Sequence, residues 1–96
     1  MQIQFSDLKF KPLQDNESSI GVQATIFFDN GHGASIIKTP YGYGGKEGFY
    51  GLAVIKANEN GWDLNFNTPI TNNVLGYLTE NDLLNYLEKI KKLPNQ

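Results

Sequence analysis

Between Pro40 and Gly51 the chain reads PYGYGGKEGFYG, which holds five of its ten glycines and three of its five tyrosines beside one lysine and one glutamate. A glycine-rich segment with a Gly-Lys pair suits a phosphate, because backbone N–H groups can close on an anion while the ammonium meets its charge. The spacing here does not deliver that chemistry. A phosphate-binding loop needs glycine where Pro40 stands and serine or threonine where Glu47 stands. A dinucleotide fingerprint starts correctly at Gly42 and Gly44, but Glu47 replaces its third glycine and no helix follows. The run Gly42-Tyr43-Gly44 has the composition of a cation filter, yet no apolar segment exists to hold one in a bilayer.

What the segment does offer is contact. Tyrosine gives large amphipathic area at low entropic cost, and glycine lets the backbone adapt, which is the composition of antibody paratopes. A strand connection needs about two glycines, so the excess points to a recognition surface formed by Tyr41, Tyr43, Gly44, Gly45, Lys46 and Tyr50. The plainer reading is a long hairpin connection whose tyrosines pack over the sheet edge. His32, the only histidine, is expected as an exposed residue at a hairpin tip, and it borders the Tyr41–Lys46 segment if both turns lie at the same end.

Other chemistry is poorly supplied. One histidine and no cysteine cannot build the usual zinc site, so no metal is expected. The carboxylate pairs Asp15/Glu17 and Glu80/Asp82 have structural explanations as loop and helix-start residues. No catalytic residue and no cofactor are assigned, and a non-enzymatic role is expected.

Composition narrows the partners. Ninety-six residues make one domain, with 40% hydrophobic and 19% charged residues and a formal net charge of −2. All eight cations are lysines, and only Lys89, Lys91 and Lys92 cluster, so double-stranded nucleic acid is excluded as a partner. No signal peptide or membrane-spanning run is read, which makes cytoplasm the expected location.

The elements that would position these residues follow from periodicity. Ile3 and Phe5 alternate with glutamines, and the phase slips at Ser6-Asp7, predicting a first strand with a bulge or turn. Residues 14–19 read as a polar loop. Val22, Ala24, Ile26 and Phe28 share one face of the next strand with Phe27 as an exception, and Asn30-Gly31 predicts a short hairpin because both residues tolerate positive φ. Residues 33–39 form the return strand, and residues 48–57, apolar on both faces, a central strand. After a turn at 58–61, Trp62, Leu64 and Phe66 are predicted inward, with Asp63, Asn65 and Asn67 outward. Residues 67–79 read as an ordered bracket in which Val74, Leu75, Tyr77 and Leu78 pack down, with Asn72 and Asn73 as surface contacts. Thr79 and Asp82 form a capping box, Leu83, Tyr86, Leu87 and Ile90 a buried helical stripe, and Pro94 a stop. The expected fold is a single α+β domain over residues 1–96, an antiparallel sheet of four or five strands with one carboxy-terminal helix on a face.

The succession DNGHGASII, YGYGGKEGFYGLAVI and NTPITNNVLGYLT, followed by a short amphipathic helix, resembles a group of small phage- and prophage-encoded proteins over residues 28 to 93. The resemblance implies a phage-type origin and carries over no catalytic residue. Three functions follow as expectations. The first is an accessory protein that binds a host or phage protein, as an inhibitor of host defence or replication, in the host-cell cytoplasm. The second is a binder of a nucleotide-like small molecule, with Tyr41 or Tyr43 stacking and Lys46 supplying charge, against which Glu47 and the net negative charge weigh. The third is a structural, self-assembling component. Exposed edge strands would favour a homodimer in each case.

Overall fold

The computed structural model describes residues 3–15, 18–40, 44, 47–65, 68–70 and 74–94. Among these, six strands form one antiparallel sheet: β1 (Lys11–Asp15), β2 (Ser18–Phe27), β3 (His32–Lys38), β4 (Tyr50–Asn58), β5 (Gly61–Leu64) and β6 (Leu75–Leu78). Their spatial order is β1-β2-β3-β4-β5, with β6 pairing β4 as well. The sheet curls into a half-barrel, and the helix α1 (Glu80–Lys91) packs on it, giving the expected α+β architecture with one or two more strands.

Register decides which side chains the helix covers. Ala24, Ile36 and Leu52 lie directly across one another, as do Ile26, Ala34 and Val54. Opposed residues share a face, so these two rows make the floor of the core. Leu83, Leu87 and Ile90 of α1 close over that floor and are fully buried. Each contributes roughly 1.5–3 kcal/mol by leaving water. The helix starts as its sequence requires: the Asp82 N–H donates to Thr79 Oγ1 at 3.1 Å and the Thr79 N–H to Asp82 Oδ2 at 3.0 Å.

Its other end is held from a distance. The Asn30 amide nitrogen donates to the carbonyls of Ile90 (2.9 Å), Lys91 (3.2 Å) and Leu93 (2.9 Å), and Asn30 Oδ1 accepts the His32 N–H at 3.0 Å. The last carbonyls of a helix lack their usual partners within it; here a hairpin tip some sixty residues earlier adds a side-chain donor to the Leu93 N–H that Ile90 O accepts. The hairpin is not the two-residue kind. Gly31 alone has positive φ (85°), its N–H donates to Phe28 O at 3.2 Å, and the Phe28 N–H donates to His32 O at 2.8 Å. This is a type I turn closed by a glycine bulge, a geometry that turns the Asn30 side chain toward the helix.

Three other expectations are corrected. Ile3 and Phe5 do not start a strand: Phe5–Asp7 is a 3₁₀ turn, and the Ile3 N–H donates to Glu88 Oε2 at 2.8 Å. Gln14, Asp15, Ser18 and Ser19, expected in a loop, belong instead to β1 and β2. β1 is an edge strand with one partner, so it needs no apolar alternation and tolerates Pro12. Finally, Trp62 and Leu64 are not inward. They lie opposite Ala57 and Ile55, on the sheet face away from α1, and stand 38% and 48% exposed. Phe66 and Asn67 fall outside the described residues.

β4 is bordered on one side by β3 and on the other by two short strands in succession. Ile55 pairs with Leu64, the Asn65 N–H donates to Val54 O at 2.8 Å, and Leu52 pairs with Leu75. β5 and β6 are therefore two halves of one edge, between which the chain departs and sends Ile70 against the core.

Candidate functional site

The glycine–tyrosine segment joins the end of β3 to the start of β4. Its members Tyr41, Tyr43, Gly45 and Lys46 lie outside the described residues. Gly44 and residues 47–51 show what the segment is built upon. The Glu47 and Phe49 N–H groups both donate to Gly44 O, at 3.0 and 2.9 Å, which folds the chain into a compact turn. Gly44 sits at φ 79° and Gly48 at φ 94°, conformations that favour glycine. Gly44 has a second requirement: a Cβ there would lie 2.6 Å from Tyr77 Cδ2. Gly51 lies buried in β4 opposite Ile37. Three of the five glycines thus have structural work, and the excess that suggested recognition is smaller than the composition implies.

Tyr77 does not pack down as its apolar neighbours predict: its residue stands 65% exposed, and among the described residues it is the one non-glycine at positive φ (58°). The cause is a bulge: Tyr50 pairs with Leu78 and Leu52 with Leu75, so Gly76 and Tyr77 together face Gly51. The twisted backbone turns the Tyr77 ring over Gly44 and against Phe49, with ring centroids 5.9 Å apart at 50°. Tyr77, Phe49 and Gly44 form an aromatic shelf from which the glycine–tyrosine segment departs.

Two predicted contact residues belong to the interior. Tyr50 opens β4 and is buried, its ring 5.8 Å from those of both Phe5 and Phe10 and 5.1 Å from the Lys38 ammonium. Tyr50 faces the core because it shares parity with Leu52 and Val54. Burial, and then the nearby Glu80 carboxylate, push its phenol above the ordinary value of 10.0. A phenol whose folded pKa is raised stabilises the fold while it is protonated and ceases to do so as pH rises through that pKa. Stability should therefore fall above about pH 10 in urea titrations, and Tyr50→Phe should flatten that alkaline fall.

His32 is likewise buried rather than exposed at a tip. Its Nε2 lies 3.0 Å from Pro94 O, which makes that nitrogen the donor, and its Nδ1 is buried without a partner among the described residues. It begins β3, whereas the glycine–tyrosine segment follows the other end of the same strand; the expected border with Tyr41–Lys46 falls on residues that lie outside the described ones. His32 and Asn30 are a latch on the end of the helix. The Asn-Gly pair carries a hairpin signal, but nothing local to it announces a carbonyl sixty residues away.

Asn72 and Asn73 lie outside the described residues. No helix of the described residues is long and apolar enough to cross a membrane. Comparison with protein-family models, with curated proteins and with solved structures finds no match to this chain.

Proposed function

We propose that the protein is a non-enzymatic binding module that holds another protein through the Tyr77 shelf and the glycine–tyrosine segment beside it. One observation carries the reading: Tyr77 occupies positive φ and yet displays most of its surface to solvent. A left-handed conformation costs a non-glycine residue about 1–2 kcal/mol, and a glycine at this bulge would avoid that cost. An exposed ring gives little burial in return, and such strained positions gather at binding sites. Flat tyrosine and phenylalanine faces flanked by adaptable glycine suit a protein surface. The resemblance to small phage and prophage proteins makes a host or phage protein the partner to seek, with inhibition of that partner as the consequence of binding.

The test uses Tyr77→Gly, which removes the ring and relieves the backbone. Affinity capture from host lysate should recover a stoichiometric partner with the wild type and lose it with Tyr77→Gly, at a Tm within a few degrees of the wild type. Recovery unchanged by Tyr77→Gly would remove the shelf from the contact surface.

A further inference from the structure

The other half of the β4 border presents a different surface, at the end of the sheet remote from Tyr77. In β5 the hydrogen-bonding pattern alternates. The Asn65 N–H points to β4, where it meets Val54 O, so Asp63 and Gly61 also turn their backbone groups inward. Trp62 and Leu64 turn theirs outward. The free edge therefore offers two N–H donors and two C=O acceptors, and all four residues of β5 are exposed. The opposite edge of the sheet is guarded by Pro12 and by a bulge between Leu13 and Gln14. Among the described residues β5 carries no such guard, and its Trp62 and Leu64 side chains continue an apolar row with Ile55 and the 47% exposed Phe27 across Gly33.

We infer that β5 accepts an added strand from a partner, and that the strand has the pattern apolar–basic–apolar. The pattern follows from what lies opposite. Residues facing Trp62 and Leu64 in an added antiparallel strand share their apolar face, and the residue between them faces Asp63 on the other side of the sheet. The exposed Asp63 carboxylate, held by the Asn58 amide and opposite Lys56 on its β4 side, meets a second cation, a lysine or arginine, on its outer side favourably. A second copy of this chain fits badly. The self-pairing register that uses all four free backbone groups sets Trp62 against Leu64 and so places Asp63 directly opposite Asp63, about 4.5 Å apart at Cα. Like charges so placed are destabilising.

Trp62 is the chain's only tryptophan, so its fluorescence reports the edge directly. The probes are two synthetic peptides with extended, blocked ends, one centred on Val-Lys-Val and the other on Val-Glu-Val. The lysine peptide should shift the Trp62 emission to the blue saturably, with at least tenfold tighter apparent binding than the glutamate peptide. Asp63→Lys should reverse that order. Leu64→Pro removes an outward N–H while leaving the β4–β5 ladder intact, and it should abolish both responses. Tyr77→Gly should leave them unchanged, which separates this surface from the shelf. Equal binding of the two peptides, no saturable shift with either, or dimerisation of the chain alone with a blue shift of Trp62 would overturn the inference.

Discussion

Replacing Asn30 by alanine should lower stability by about 3 kcal/mol, a fall in Tm of roughly 15 °C for a chain of this size. The substitution takes the Asn30 donor from the carbonyls of Ile90, Lys91 and Leu93 at and just beyond the end of α1, of which Ile90 O keeps the Leu93 N–H, and leaves the buried His32 N–H without its acceptor. Each buried group left unmet costs about 1–3 kcal/mol, and the partly exposed ones find water at lower cost. Asn30→Asp separates this account from one based on turn preference. Aspartate suits the same turn and keeps an oxygen for His32. It also replaces the donor with an acceptor and sets a negative charge against the negative end of the helix. Urea denaturation should place Asn30→Asp at or below Asn30→Ala. A stability near that of the wild type for either variant would show that the helix end does not depend on this residue.

Gly33→Ala should be nearly as damaging, by about 3 kcal/mol. Its φ is ordinary, so the cost is not conformational. A Cβ at Gly33 would collide with the Ile26 carbonyl oxygen and lie 3.0 Å from the Phe27 ring. The first of these is backbone and cannot swing aside, so the pairing of β2 with β3 would have to open around Phe27↔Gly33. Hydrogen exchange should then show lost protection at Phe28 and Ala34 before loss in β4. Gly48→Ala is the contrast: its Cβ would meet nothing within 4 Å, and only its positive φ is at stake, so the expected loss is about 1 kcal/mol.

These positions show what could be read in the residues and what could not. The capping box at Thr79 and Asp82, the stripe through Leu83 and Leu87, and the odd exposure of Phe27 are local patterns, and the chain keeps them. Trp62 and Leu64 alternate just as clearly, but alternation separates two faces without saying which one the helix covers. That is settled by the Ile55↔Leu64 register, a property of two strands together. Gln14, Asp15, Ser18 and Ser19 carry no apolar signal because an edge strand and the residues pairing with it do not need one. Tyr77 sits among Val74, Leu75 and Leu78, a pattern that predicts packing; one extra residue in a bulge is enough to turn it outward. Asn30 and His32 carry only turn chemistry in the local sequence, and their larger role depends on where the carboxy-terminal helix ends.

The shelf is the centre of the functional reading, and one comparison bears on it most directly. With the captured partner in hand, titration calorimetry should compare the wild type, Tyr77→Gly and Trp62→Ala. Tyr77→Gly should raise Kd at least tenfold, as loss of a central aromatic contact does, with Tm held near the wild-type value. Trp62→Ala, at the other end of the sheet, should leave that Kd unchanged. A Kd for Tyr77→Gly equal to the wild type, in a protein that remains folded, would contradict the account.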